Sequence, residues 1–539
     1  MEQKIKMFKT ESIDLKRSGA INSLVLDYLD KKETLRSFYS HYPDKKGFED
    51  LLKTNLYPSL NRNLLSEIAI KQSRLVNNTS QASLKKIESL KQKNIFTVTT
   101  GHQLCLFTGP LYFIYKIIST INLSEELKKE FPEHDFVPIY WMAAEDHDFE
   151  EVNHFNVFGK NFKWESKQTG AVGNFKTEEL KDLFIVIKES LGTSENANYL
   201  SSLFERSYLE HKTLKDATRF LVNELFGDFG IVIIDGDDDQ FKDQFKETIE
   251  KEIFENCSFN KVTESTRALN DLGYSTQVNP RPINCFYLDD SLRARIEKVN
   301  SNFEVVGTNI TFTEEELKNI IKTDPVKISP NVVLRPVYQQ LILPNIAYIG
   351  GPGELAYWLQ FKKMFDKLNV QFPILIPRNF ITVIDAGTKN KIEKLDFKPE
   401  DFFKDIQELV NNYQIKTNNV FALDREKEEL TKLFDQLIIK ITGVDKTLHA
   451  AALAELQKTL NGLDLLIGKA NKALKQRSET EINQINSVKQ KMFPNTLPQE
   501  RFENFSGLYL KYGPGLINQL KDKIKPFELD HKILIEAGN

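Results

Sequence analysis

The sequence predicts an α/β fold, a parallel sheet assembled from two strand–helix–strand units and followed by a helical coiled coil. Three observations carry this reading. Residues 95–100 are short, apolar and β-branched, residues 111–127 form an amphipathic run, and residues 136–142 form a second buried strand. Residues 346–349, 355–368 and 372–377 repeat that pattern around the turn Gly350-Gly-Pro-Gly-Glu354. Beyond residue 385 apolar side chains recur at alternating spacings of three and four. A strand–helix–strand unit of this length crosses over right-handed into a parallel pair. Ligands of such sheets sit at the carboxyl ends of the strands. Gly101-His-Gln103 and Glu145-Asp-His-Asp148 both fall there.

Taken in order, residues 1 to about 90 read as a helical lead-in packed on the sheet, with apolar spacing at Ile21, Leu24, Val25, Tyr28 and Leu29. Residues 160–225 read as a mainly helical insertion. Residues 230–235 return as a buried parallel strand, capped by the acidic turn Gly236-Asp-Asp-Asp239. Residues 283–312 alternate apolar and polar, which predicts a small antiparallel meander. Ser329-Pro330 reads as an N-cap with proline at the first helical position, so residues 331–343 are expected to be helical. Two such units separated by a long insertion form the halves of a Rossmann-like sheet. If the first strand of each half is adjacent, the Gly-His-Gln and Gly-Gly-Pro-Gly-Glu turns face one another at the switch point.

The coiled-coil seam runs through Leu430, Phe434, Leu437, Ile441, Val444 and Leu448, then through Leu453, Leu456, Leu460, Leu463, Ile467, Ala470 and Leu474. An unbroken helix over residues 446–492 would reach roughly 70 Å at 1.5 Å per residue. It needs a hairpin partner or a second subunit, and a homodimer is the preferred expectation. At 539 residues two or three domains are expected. The predicted boundaries are 1–385 for the core, with insertions at about 160–225 and 255–330, then 386–497 for the coiled coil. Residues 498–539 form a tail packing back on the core through a Tyr512-Gly-Pro-Gly515 turn.

A net charge of −4 gives no electrostatic footprint for nucleic acid. The first residues lack an apolar core of signal-peptide length, and no apolar run is long enough to span a membrane. A cytoplasmic protein is expected. Cys105, Cys257 and Cys285 are widely spaced and fit neither a disulfide framework nor a Cys-x-x-Cys zinc site. Cys105 reads either as a neighbour of the ligand or as a small buried apolar group.

Gly101 and His102 are read as offering backbone N–H groups to phosphate, with His102 donating to a phosphoryl oxygen. The alternative is a histidine that fixes the turn. Lys116 reads as a solvated charge. The density of ionisable groups from Glu145 to His154 predicts a polar substrate-binding rim, with metal ligation as the weaker alternative. Gly350 to Glu354 offer a backbone that a nucleotide can approach. Arg335 and Gln339 stand one turn apart on a helix face, a clamp for a carboxylate. Arg378 follows the last strand, and its bland reading is a surface ion pair.

Several longer motifs carry a resemblance: Thr100-Gly-His-Gln103, Leu106-Phe-Thr-Gly-Pro-Leu-Tyr112, Trp141-Met-Ala-Ala-Glu-Asp-His-Asp-Phe-Glu150 with Asn153-His154, Ser329-Pro-Asn331 with Leu334-Arg-Pro336, Tyr348-Ile-Gly-Gly-Pro-Gly-Glu-Leu-Ala-Tyr-Trp358, and Leu497-Pro-Gln-Glu-Arg501. Together they resemble the cysteine ligases assigned to bacillithiol biosynthesis, over nearly the whole chain. One departure is His102, where many members of that family carry Gln.

The resemblance implies a Rossmann-like core related to class I aminoacyl-tRNA synthetases, two connecting-peptide insertions and a dimerising coiled coil. It also implies a reaction joining the cysteine carboxyl group to the amine of glucosaminyl-malate, after activation by ATP or another nucleotide. On that reading Thr100, Gly101, His102, Gln103, Gly350, Gly351, Gly353 and Glu354 hold the nucleotide. His102, Asp146 and Asp148 act in catalysis, and Glu145, His147, Asn153, His154, Asn331, Arg335, Gln339 and Arg378 contact the substrates. Two rivals stay open: a metal-dependent hydrolase of an N-acylated sugar, and a non-catalytic substrate-binding dimer.

Overall fold

The computed structural model describes residues 7–537 apart from 55, 58, 418 and 419. Residues 1–6, within the stretch read for a signal peptide, lie outside the described residues, as do the last two of the tail. Five parallel strands form the central sheet: β1 (Ile95–His102), β2 (Asp135–Met142), β3 (Val232–Asp235), β4 (Asn345–Gly350) and β5 (Ile374–Pro377). Their spatial order is β3-β2-β1-β4-β5, the doubly wound arrangement whose switch point lies between β1 and β4. Thr97 to Thr99 pair with Asn345 to Tyr348 across that seam. The adjacency expected of the two first strands is therefore present.

Each strand is buried on both faces, as parallel sheets require. Helix α1 (Tyr112–Glu130) connects β1 to β2, and α3 (Pro352–Leu368) connects β4 to β5. Helix α2 (Arg335–Ile342) precedes β4. Its start differs from the expected one. Ser329 and Pro330 belong to the short strand Ile328–Pro330, which pairs antiparallel with Cys285–Asp289. Asn331 then caps a turn, its Oδ1 accepting from the N–H groups of Val333 at 2.8 Å and Leu334 at 3.3 Å. The proline that opens the helix is Pro336.

The meander is an antiparallel sheet of Cys285–Asp289, Leu292–Val299, Asn302–Val305 and Thr311–Phe312, extended by Ile328–Pro330. The lead-in is helical over much of its length, but it opens with a strand that its charges concealed. Phe8–Asp14 pairs antiparallel with Asp530–Glu536 in a three-stranded sheet that also holds Phe380–Ile384. The loop between β1 and α1 is strained, with positive φ at Phe107, Thr108 and Gly109. A Cβ on Gly109 would lie 2.7 Å from that of Cys105. Asn504 holds the loop by donating to the carbonyls of Phe107 at 2.7 Å and Gly109 at 2.6 Å, the over-determination that such backbone needs.

Residues 384–496 form a separate compact unit. Within it α4 (Asp424–Val444) and α5 (His449–Arg477) pack as a hairpin, and α6 (Glu479–Met492) follows. The long helix is therefore broken, at Ser478 and again at the 3₁₀ turn Lys446–Leu448. Lys427 pairs with Asp464 across the hairpin, and Phe421 exchanges backbone hydrogen bonds with the Asn471 side chain at 2.8 and 3.0 Å. The seam residues Phe434, Leu456, Leu460, Leu463 and Ile467 are buried or half-buried, whereas Leu437, Ile441, Val444, Leu448 and Leu453 of the predicted seam are exposed, as are Ile439 and Leu465 outside it. Among the described residues no helix is long and apolar enough to cross a membrane.

Candidate functional site

A cavity of about 530 Å³ opens beside the β1–β4 seam, and its walls draw on both strand–helix–strand units. Gly101, His102 and Gln103 come from the end of β1, Asp146, His147 and Asp148 from the loop after β2, and Tyr348 and Glu354 from β4 and α3. Arg335 and Gln339 enter from α2. The two turns meet closely: a methyl group on Gly101 would sit 3.2 Å from the Tyr348 hydroxyl.

The floor is an ion pair. Lys116, expected to be solvated, is 2% exposed. Its Nζ donates to the Gly101 carbonyl at 2.6 Å and to Glu354 Oε2 at 2.7 Å. Glu354 also accepts from the Gly351 N–H and the Tyr348 hydroxyl, each at 2.8 Å. Burial works to raise its pKa, but Lys116 and these donors outweigh burial and hold the carboxyl below its usual range.

This arrangement corrects the phosphate reading of both turns. Gly351 opens α3, yet its N–H is already given to the carboxylate of Glu354, a capping contact where a phosphate was expected. Gly350 packs against Leu355, to whose Cδ2 an added Cβ would approach within 2.8 Å, and Gly353 does not line the cavity. Gly101 and His102 pair with Trp141 and Met142 at the end of β1, and the helix begins only at Tyr112. Thr100 is buried, its hydroxyl donating to the Ile349 carbonyl at 2.9 Å. The residues present do not form a cradle for nucleotide phosphates.

His102 lies under the cavity among Tyr112 and Phe113. Its Nδ1 is 2.9 Å from the Gln103 carbonyl, which only accepts, so Nδ1 carries the proton and Nε2 is left as an acceptor. Burial, with Lys116 nearby, pushes its pKa down to about 4. The expected donation from His102 to a phosphoryl oxygen is therefore not available through Nε2 of the neutral ring.

The acidic loop divides. Glu145 turns inward to the buried Lys242 at 2.5 Å and does not line the cavity. Lys242 also binds Asp237 at 3.0 Å, tying the loop after β2 to the turn after β3. Asp146 accepts from its neighbours' N–H groups, His147 at 2.8 Å and Asp148 at 3.4 Å, and from Gln103 Nε2 at 3.2 Å. Burial would raise its pKa, but the contact with His147 and the guanidinium groups of Arg335 and Arg293 hold it well below the usual carboxylate range. A carboxylate so stabilised is a weak base. Asp148 and Glu151 line the cavity, and Gln103 Nε2 bridges to Glu151 at 2.8 Å. Gly173 fits against Ala144, whose carbonyl oxygen would lie 2.6 Å from any Cβ there.

Arg335 faces the cavity beside Asp146. Gln339 lines the cavity and is 3% exposed, and its Nε2 is a buried donor with no partner among the described residues. Three expected contacts lie elsewhere. Asn153 is buried, and its carbonyl accepts from the Trp164 N–H at 2.7 Å. His154 begins the hairpin strand His154–Val157, and Asn331 is spent on its turn and on Asn284. Arg378 is likewise committed, in a 2.6 Å ion pair with Glu500 that is buried on both sides. Neither the substrate nor the surface reading of Arg378 survives. Among the described residues no group of three His, Cys, Asp or Glu side chains is placed to hold a metal ion, and the three cysteines are buried and free.

Aromatic walls complete the site. Trp141, Tyr348, Tyr357 and Trp358 line it, with the rings of Tyr348 and Trp358 packed at 4.6 Å between centroids. Trp141 and Tyr348 stand on β2 and β4, Tyr357 and Trp358 on α3, and in the sequence such rings read as core.

Comparison with known proteins agrees with this architecture. Residues 8–379 match the family model described as "Bacillithiol biosynthesis BshC, N-terminal Rossmann-like domain". Residues 381–536 match "Bacillithiol biosynthesis BshC, C-terminal coiled-coil domain". The chain belongs to the BshC family. Relatives of BshC type, each named "Putative cysteine ligase BshC", include one from Flavobacterium psychrophilum that is 42% identical over 98% of this chain and 100% of its own. Another, from Christiangramia forsetii, is 42% identical over 97% and 99%. A third, from Cytophaga hutchinsonii, is 38% identical over 96% and 97%. The BshC assignment thus covers both compact units.

Proposed function

We propose that this BshC chain is a cytoplasmic ligase that joins the carboxyl group of cysteine to the amine of glucosaminyl-malate, giving bacillithiol. The observation that supports it is one cavity shared by both crossover turns, with a guanidinium and an unpartnered amide on α2 and carboxylates on the loop after β2. Arg335 and Gln339 suit the malyl carboxylates, because a guanidinium and an N–H₂ donate in geometries that carboxylate oxygens accept. Asp148 and Glu151 suit an ammonium group. Asp148 takes the amine proton, since Asp146 is too strongly stabilised as an anion to serve as the base. The aromatic walls exclude water from the reacting carboxyl carbon.

Amide formation from a free carboxylate is uphill in water, and ATP or another nucleotide would supply the leaving group that the acid lacks. The glycine turns offer its phosphates no cradle, so no step is assigned through it. The exposed apolar residues Ile439 and Leu465 on the hairpin suit a second copy of the chain, and a homodimer through the coiled coil is part of this proposal. The deciding experiment is thiol analysis by mass spectrometry in a strain lacking the chain. Glucosaminyl-malate should accumulate without bacillithiol, and unchanged bacillithiol would reject the reading.

A further inference from the structure

Arg293 belongs to none of the motifs that mark the site in the sequence. It lies on the strand Leu292–Val299 of the inserted antiparallel sheet. Its guanidinium lies over the Phe286 ring, 4.0 Å from the centroid, and its Nη1 is 2.8 Å from His147 Nδ1. A guanidinium has donors only. The contact therefore requires a lone pair on Nδ1, and the neutral imidazole then carries its proton on Nε2. The rival partner is Asp146 Oδ1, 3.6 Å from the same nitrogen. That is beyond hydrogen-bonding range, and this oxygen already accepts the His147 N–H.

The same cavity holds the opposite case in His102, where Nδ1 donates to a carbonyl and Nε2 accepts. One ring thus presents an acceptor and the other a donor.

We propose that Arg293 is a positioning residue that fixes His147 as the Nε2–H tautomer, so that His147 donates a hydrogen bond to a carbonyl or carboxylate oxygen of the substrate. The substrate's identity rests on the ligase reading above, whereas the tautomer does not.

Imidazole ¹⁵N correlation spectra of the full-length protein at neutral pH test the first half. His147 should show an unprotonated Nδ1 and a protonated Nε2. Arg293→Met should give mixed tautomers, and Arg293→Lys should restore the native pattern. A proton on Nδ1 in the native protein, or an unchanged spectrum in R293M, overturns the proposal. If R293M fails to fold, the native spectrum alone decides which nitrogen holds the proton. In the ligation assay R293M should lower kcat in proportion to the share of His147 that loses its Nε2 proton, with R293K recovering the rate, whereas His147→Ala should lose on the order of 10²-fold, the scale for one donor removed from a developing oxyanion. An unaltered kcat in R293M overturns the donor role of His147. Native tautomer spectra with no cysteine ligation by the wild type would reject the ligase reading and leave the tautomer lock standing.

Discussion

Lys116 Nζ lies 2.7 Å from Glu354 Oε2, which links the helix of one crossover unit to the helix of the other. Both groups give up water for this contact. Removing one therefore costs more than the pair itself contributes, because the other is left buried and unpaired. Lys116→Met should destabilise the protein by about 3 kcal/mol. The double variant K116M/E354Q should recover part of that loss. Denaturant titration of the four proteins in the cycle measures this, and additive effects would show that the two residues act independently.

His102 ties acid stability to the site. Its pKa is lowered to about 4 in the folded protein, from an ordinary value near 6.5. Between those values the unfolded chain binds the proton and the native one does not, so stability falls as pH drops from 6.5 towards 4. His531, also lowered to about 4, adds to the same slope. His102→Gln should fold and should flatten this acid limb without abolishing it. Thermal melts from pH 4 to 7 read the difference, and an unchanged slope would contradict the assignment.

Asp235 acts in the opposite sense. It ends β3, and burial together with the neighbouring Asp237 charge raises its pKa to about 7. Between its ordinary value of 3.8 and 7 the native state holds a proton that the unfolded state has lost, so stability declines as pH rises through this window. Asp235→Asn should remove that decline and be relatively more stable at pH 8 than at pH 5. Equal pH dependence in both proteins would refute the shift.

Arg335 should govern binding more than chemistry. Arg335→Ala should raise KM for glucosaminyl-malate about 10- to 100-fold, the scale of charged hydrogen bonds, with a smaller change in kcat. The same substitution should matter little with glucosamine as acceptor, which lacks the malyl carboxylates. A loss of equal size with both acceptors would place the role of Arg335 elsewhere.

The parallel sheet was legible because buried strands and amphipathic helices have distinct periods, and because a crossover leaves few topologies open. The meander was legible on the same grounds, and so was the coiled-coil seam in its later half, whereas Leu437, Ile441, Val444, Leu448 and Leu453 are exposed. Side-chain partners were not. Lys116, Glu145 and Arg378 look alike in sequence to any solvated charge, and only the fold brings Glu354, Lys242 and Glu500 to them. Gly351 suggested an open phosphate turn, and Glu354 three residues later was the capping signal that argued otherwise. Arg293 carried no local signal, since a meander residue reaches His147 only through the packing of an insertion on the sheet.

The pairing of Phe8 with Glu536 sets an order of events during synthesis. The strand Phe8–Asp14 can pair only once Asp530–Glu536 has been made, more than five hundred residues later. Contacts of such sequence separation close late in folding. Until then Phe8–Asp14 is an unpaired strand, the kind of edge that invites association with another chain.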